Sequence, residues 1–200
     1  MIKPVIIAIC GKSAAGKDTL AKALAADLRA EKIPTHEIVS LTTRPKRIGE
    51  KNGRDYHFID DFTFQQYIAD RDLLEYSRFR RWYYGVHALE IQPDKINIGV
   101  FNIQGLKNIS KNKEYFIIPV YIEESLMTRL KRSYDREGVF KLEFLRRAIT
   151  DFFDFWDVEE KIKAINKKYI YLYRSTTVFR RVKIVELKLE KWGIIKLNHY

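Results

Sequence analysis

An apolar run, a glycine-bearing loop and an amphipathic segment follow one another at the start of the chain. Residues 5–10 are all apolar, which predicts a buried strand. Leucines then recur every four residues on one face, at Leu20, Leu24 and Leu28, which predicts a helix from Asp18 to Glu31. The intervening loop, Gly11–Lys17, has the spacing G-x-x-x-x-G-K that is typical of phosphate-binding loops. An ordinary glycine-rich turn is the alternative, but strand, spacing, lysine and helix all favour the phosphate site.

This phosphate loop offers several groups to an anion. Its glycines let backbone N–H groups approach phosphate oxygens, and the helix N-terminus adds positive potential. Lys17 would reach the β- and γ-phosphates of a nucleotide. Asp18 is unusual, because Ser or Thr normally offers a hydroxyl to Mg²⁺ at this position. The expected phosphate-binding residues are Gly11, Lys12, Ser13, Ala14, Ala15, Gly16, Lys17, Asp18 and Thr19.

The net charge of +11 is concentrated at one end of the chain. Residues 161–200 carry +9 and the first 160 residues carry only +2. A basic face exposed to solvent explains this excess, and a surface for an anionic partner is the alternative. We do not expect nucleic acid as a partner, since the argument for it rests on the basic C-terminal region alone.

Composition indicates a single globular domain of 200 residues. With 46% hydrophobic residues the chain can bury a sizeable core, and no apolar stretch approaches the roughly 20 residues that span a bilayer. Cys10 is the only cysteine, which excludes an internal disulfide and fits a reducing compartment. We therefore expect a cytoplasmic protein, a monomer or a homodimer, without a membrane partner.

Beyond the loop, strand-like and helical patterns alternate, which predicts an α/β core with a mostly parallel sheet. Strands are expected near His36–Leu41, Ile96–Ile103, Glu114–Ile122 and Tyr169–Tyr173. Pro119 predicts an edge position or a bulge, because proline cannot donate to a sheet. The last helix should pack through a stripe formed by Val178, Val182, Val185, Leu189 and Trp192, and should end at Gly193.

Residues 36–87 interrupt this alternation and contain candidate groups for a second anion. Arg44 and Arg47 are three residues apart, so two guanidinium groups would converge on one small anion. Two phenols precede a glycine at Tyr83–Gly85, and Glu75 lies in an apolar and aromatic setting.

The residues from Thr42 to Phe58 match the run T-T-R-x-x-R-x-G-E-x-x-G-x-D-Y-x-F. This run resembles that of guanylate kinases. The resemblance is densest from Ser40 to Gly105, and with the phosphate loop it covers roughly half the chain. It implies a three-layer P-loop kinase fold with a mostly parallel central sheet. The core would comprise 1–35, 88–122 and 160–200, with an inserted acceptor-binding subdomain at 36–87 and a helical lid at 123–159.

The resemblance also implies ATP-dependent phosphoryl transfer to a small phosphorylated acceptor, most simply GMP or dGMP, with Mg²⁺ as cofactor. It assigns the acceptor site to Ser40, Arg44, Arg47, Tyr56, Glu75, Tyr84 and Asn102. It assigns catalysis to Lys17, Arg44, Arg47 and the lid arginines Arg129, Arg132 and Arg146. A carboxylate can accept both adjacent donors of guanine, N1–H and N2–H, so Glu75 would select this base.

Four positions depart from the guanylate kinase pattern. Asp18 replaces the hydroxyl residue of the loop, and Val86 replaces a small hydroxyl residue after Tyr-Tyr-Gly. Val100 and Asn102 replace two acids, and we hypothesise that Asp18 compensates as the metal ligand, since oxygen ligands suit Mg²⁺. The same variants resemble ribose 1,5-bisphosphate phosphokinases, so that activity is one alternative. A non-catalytic guanylate kinase-like binding module is another.

Overall fold

The computed structural model describes residues 3–79, 81–137, 142–174 and 177–197. Residues 138–141 of the expected lid therefore lie outside the described residues. The strands are β1 (Val5–Gly11), β2 (Thr35–Glu37), β3 (Leu41–Thr42), β4 (His57–Phe58), β5 (Leu73–Phe79), β6 (Trp82–His87), β7 (Ile96–Val100), β8 (Phe116–Ile122) and β9 (Ile170–Leu172). The helices are α1 (Lys17–Ala30), α2 (Asp61–Ala69), α3 (Ile103–Ile109), α4 (Leu126–Glu137), α5 (Leu142–Asp154), α6 (Val158–Ile165) and α7 (Val178–Lys191).

The core is a parallel sheet in the order β2-β7-β1-β8-β9. Successive side chains of β1 point to opposite faces. Ile7 and Ile9 pack with buried residues of α1 and α7, whereas Ile6 and Ala8 pack with α3 and α6. Helices thus cover both faces of the sheet, which confirms the predicted three-layer α/β fold.

A second sheet, in the order β4-β3-β6-β5, is formed by the chain between β2 and β7. Its β6 is antiparallel to both β3 and β5. Fully buried Phe64 of α2 stacks on Tyr83 of β6, with the ring centroids 5.2 Å apart. This second sheet meets the core where β5 packs against α3.

The strand predicted at His36–Leu41 is two strands that belong to different sheets. The Ile38 N–H still donates to the Ile98 carbonyl of β7. The next N–H, that of Val39, donates to the Glu90 carboxylate instead, at 3.1 Å. The chain therefore leaves the core sheet after β2, and a single continuous strand was the wrong prediction.

Pro119 holds a locally unpaired position of β8, as predicted, although β8 itself lies between β1 and β9. The pairing with β9 begins only at Val120. Before that point, the Asn166 side-chain amide donates to the Ile117 carbonyl at 2.8 Å. Proline is tolerated because it lies just outside the part of β8 that has strands on both sides.

The C-terminal helix behaves largely as its pattern predicts. Val182, Val185 and Leu189 are buried in the core, and Gly193 follows α7 with φ +69°, a conformation that favours glycine. Part of its positive charge is structural, since buried Arg181 pairs with Glu124.

Cys10 is fully buried and burial raises the pKa of its thiol to about 12, so it acts as a small apolar residue, as expected. Among the described residues, no helix is both long and apolar enough to cross a bilayer.

Candidate active site

The carboxyl end of β1 and the second sheet face one cleft of about 1280 Å³. Most of the residues predicted to bind a nucleotide or its acceptor line it. They are Gly11, Ser13, Lys17, Asp18, Ser40, Arg44, Arg47, Tyr56, Glu75, Tyr84 and Asn102. The fold thus brings two groups of residues, predicted from separate parts of the sequence, to one site.

The phosphate loop leads directly into α1. Gly16 precedes the helix in the left-handed conformation, with φ +93°, which a residue with a Cβ rarely adopts. The first N–H groups of α1 therefore have no helical partner and are available to an anion. The Lys17 ammonium donates to the carbonyls of Gly11 and Lys12, at 2.9 and 3.2 Å. Burial lowers its pKa.

Two of the three predicted lid arginines contact the phosphate loop. The guanidinium of Arg129 donates to the Ser13 carbonyl at 3.3 Å, and that of Arg132 donates to the Ala15 carbonyl at 3.1 Å. Ser125 caps α4, the helix that carries both, since its Oγ accepts the Thr128 N–H. Arg146 is exposed on α5 and does not line the cleft, so its catalytic role stays a prediction.

A carboxylate of α5 holds the phosphate loop, and the sequence did not predict it. Asp151 accepts the Ser13 N–H at 2.8 Å and the Arg129 guanidinium at 3.0 Å. Asp151 is thus bound by two groups that would otherwise suit a phosphate. No local pattern reveals this contact, because Ser13 and Asp151 are 138 residues apart.

We expect Asp151→Asn to tighten ATP binding by about 3- to 10-fold, because a neutral amide competes less well than a carboxylate for these charge-assisted contacts. The dissociation constant of ATP, measured by calorimetry, checks this. Asp154→Asn, one turn further along α5, is the matched control and should change it by less than about twofold. Equal or weaker ATP binding by the Asp151 variant would contradict the competition.

At the acceptor end of the cleft, a carboxylate organises the predicted arginine pair. Nη2 of buried Arg44 donates to both carboxylate oxygens of Glu50, at 2.8 and 3.0 Å. The same carboxylate accepts the Arg47 N–H at 2.8 Å. Glu50 was missed as a positioning residue, although it belongs to the run that resembles guanylate kinases.

Two phenols lie beside these arginines. The Arg44 guanidinium is 5.5 Å from the centre of the Tyr56 ring, and the rings of Tyr56 and Tyr84 meet edge-on at 6.1 Å. Burial, together with the charge of Asp18, raises the pKa of Tyr56 above its usual range. This phenol therefore keeps its proton at neutral pH and can donate it to a phosphate oxygen.

The other half of the acceptor site centres on Glu75 of β5. It is 8% exposed, and burial raises its pKa to about 8. None of the described residues forms a hydrogen bond with its Oε2. A Cβ at Gly105 of α3 would lie 2.6 Å from this oxygen, so only glycine allows so close an approach. A buried acceptor without a donor is costly to a fold, which indicates that a ligand supplies the donors.

Asn102 and Ser77 lie next to Glu75. The Asn102 Oδ1 caps α3 by accepting the Gly105 N–H at 2.7 Å, and its Nδ2 donates to Ser77 Oγ at 2.8 Å. Ser40 also lines the cleft. Ser77 was missed, because the argument from sequence considered only the acid of the segment Leu74-Glu75-Tyr76.

Comparisons with known proteins agree with this geometry. A family model described as guanylate kinase matches residues 1–167. The chain is 33% identical over 187 residues to a guanylate kinase of Clostridium perfringens, with 80% of each chain covered. It is 34% identical over 154 residues to one of Zymomonas mobilis, covering 72% of this chain and 69% of the relative.

A crystal structure of guanylate kinase from Anaplasma phagocytophilum has the same fold. The TM-score is 0.65 at 18% sequence identity, with 97% of this chain and 88% of the other covered. The family match spans both the phosphate loop and the acceptor residues. The chain therefore belongs to the guanylate kinase family.

Proposed function

We propose that this protein transfers the γ-phosphoryl group of ATP to GMP or dGMP, giving ADP and the nucleoside diphosphate. The observation that carries this is the position of Glu75, a buried carboxylate in the same cleft as the phosphate loop, with one oxygen that no described residue contacts through a hydrogen bond. Guanine offers the two adjacent donors that such a carboxylate accepts, and adenine does not. The family relationship supports the same reaction.

Phosphoryl transfer needs two anionic groups held in line while charge is neutralised, with little covalent chemistry from the protein. The phosphate loop and Lys17 would hold ATP. Arg44, Arg47, Tyr56 and Tyr84 would hold the phosphate of the acceptor. Arg129 and Arg132, which contact the loop from α4, would cover the transferred group and exclude water, which suppresses ATP hydrolysis.

Asp18 would hold Mg²⁺ together with the phosphates of ATP. Its carboxylate is exposed in the first turn of α1 and lines the cleft beside Lys17. Oxygen ligands suit this ion, which keeps several waters and binds through one or two carboxylates plus substrate phosphates. When bound, the ion neutralises developing charge on the phosphates.

We expect Asp18→Ser to raise the Mg²⁺ concentration for half-maximal turnover by about tenfold, since the direct carboxylate ligand is lost. Initial rates across a Mg²⁺ titration at saturating ATP check this. An unchanged Mg²⁺ dependence would contradict the role of Asp18.

The function is tested by measuring ADP release from MgATP with GMP, dGMP, AMP, UMP, CMP and ribose 1,5-bisphosphate. We expect turnover with the guanine nucleotides. Turnover with ribose 1,5-bisphosphate alone would favour the phosphokinase alternative. Tight ATP binding without ADP release from any acceptor would favour a non-catalytic binding module.

A further inference from the structure

One buried hydroxyl in the acceptor half of the cleft has no role in the reaction as described so far. Ser77 lies two residues after Glu75 on β5, so both side chains point to the same face of the second sheet. Ser77 is 7% exposed, and both residues line the cleft.

The contacts of Asn102 determine which way the Ser77 proton can point. The Asn102 Oδ1 is committed to the Gly105 N–H, the N-terminal cap of α3. Its Nδ2 therefore faces Ser77 and donates to Oγ. A serine hydroxyl has one proton and two lone pairs, so Ser77 acts as acceptor in this contact and keeps its proton for another partner. Within the described parts of the chain, no group accepts a hydrogen bond from the Ser77 hydroxyl.

On the opposite strand, the side chain directly across from Glu75 cannot donate a hydrogen bond to a ligand. The residue paired with Glu75 across the sheet is Val86 of β6, which is fully buried in the apolar core. A hydroxyl donor and a carboxylate acceptor therefore stand next to each other on β5.

We propose that Ser77 is a specificity-determining residue that donates its hydroxyl proton to O6 of the acceptor guanine. Glu75 then accepts from N1–H and N2–H of the same base. The proposal rests on the proposed function, because it names a further contact for the same acceptor. Guanine carries an acceptor at C6, whereas adenine carries an amino donor there. With AMP the Ser77 proton would find no acceptor at C6, so a contact that favours guanine would be lost.

The test compares GMP with 6-thio-GMP, which keeps both donors but replaces O6 by a weakly accepting sulfur. We expect the wild type to prefer GMP in kcat/KM by about tenfold or more. Ser77→Ala should lower kcat/KM for GMP by about tenfold and reduce this preference to within about twofold. The preference of the same variant for GMP over IMP, which lacks only the N2 amino group, should stay as in the wild type, because Glu75 reads that group.

A second variant keeps the hydroxyl but redirects its proton. In Asn102→Asp, one carboxylate oxygen can still accept the Gly105 N–H. The other becomes an acceptor for the Ser77 proton, which is then withdrawn from the base. The preference for GMP over 6-thio-GMP should again fall to within about twofold. Ser110→Ala, at a half-buried serine after α3 whose hydroxyl donates to the Lys107 carbonyl, is the matched control and should behave as the wild type.

The outcomes separate this proposal from the proposed function. Absence of GMP turnover by the wild type would contradict the proposed function and this contact with it. Wild-type turnover of GMP with an unchanged GMP to 6-thio-GMP ratio in Ser77→Ala would overturn the Ser77 contact alone. If Ser40→Ala instead lost that ratio, Ser40 would be the donor to O6.

Discussion

Lys17→Met is expected to lower kcat by about a thousandfold or more while leaving the protein folded. Methionine keeps the apolar stem of the side chain but removes the ammonium that would stabilise charge on the transferred phosphoryl group. Burial lowers the pKa of Lys17, which means that the fold disfavours its charge. The variant leaves the Gly11 and Lys12 carbonyls without this donor, but it also relieves the cost of the buried charge, so we expect at most a small loss of stability.

The measurements are kcat from ADP release with GMP, and the midpoint of urea unfolding. Lys188→Met, at an exposed lysine of α7, is the matched control, and its kcat should stay within about twofold of the wild type. A Lys17 variant that keeps more than a tenth of wild-type kcat would contradict the role assigned to the phosphate loop.

Glu75→Gln is expected to change activity and stability in opposite directions. A neutral amide cannot accept both guanine donors as a carboxylate does, so kcat/KM for GMP should fall by about tenfold or more. The preference for GMP over AMP should fall with it. For the wild type, kcat/KM for GMP should rise from pH 6 towards pH 8, because the pKa of Glu75 is about 8 and the ionised form is the better acceptor.

The stability effect follows from the same raised pKa. The ordinary pKa of a glutamate is 4.5 and that of Glu75 is about 8, so folding favours its protonated form. Stability associated with this group is fully present below pH 4.5 and is lost as the pH rises towards 8. The Gln variant cannot ionise and escapes this loss. Its free energy of unfolding should therefore exceed that of the wild type by about 2–4 kcal/mol at pH 8 and by much less at pH 5.

Urea unfolding at pH 5, 7 and 8 measures this difference. Glu114→Gln, at an exposed glutamate, is the matched control and should show no such dependence on pH. A constant offset between Glu75→Gln and the wild type across this range would show that Glu75 stays ionised in the folded protein.

The features of the fold and the site that could be predicted from sequence are those formed by residues close together in the chain. Strand, phosphate loop and helix lie within residues 5–30, and their spacing alone indicates an α/β core. The arginines and Tyr56 fall within one continuous run, so their convergence was predictable as well. Glu75 was predicted from the resemblance to guanylate kinases, because a lone acid in an apolar segment does not by itself identify a binding site.

The parts that could not be predicted depend on contacts between distant elements. Asp151 reaches Ser13 only after α5 has packed beside the phosphate loop. The direction of the Ser77 proton depends on an asparagine that simultaneously caps another helix. Pro119 indicates a locally unpaired position, but the sequence does not reveal that β8 lies inside the sheet, because that depends on where β9 pairs with it.

The central place of β1 has a consequence for synthesis on the ribosome. The ribosome synthesises β1 before its partners β7 and β8. These strands are complete only when Val100 and Ile122 have been added to the chain. At the usual 5–20 residues per second, its apolar run waits roughly 5–20 seconds for both neighbours. During that interval the nascent chain exposes the most apolar strand of the finished protein without a sheet to join. Chaperone binding to this exposed segment of the nascent chain is therefore expected to raise the yield of folded protein.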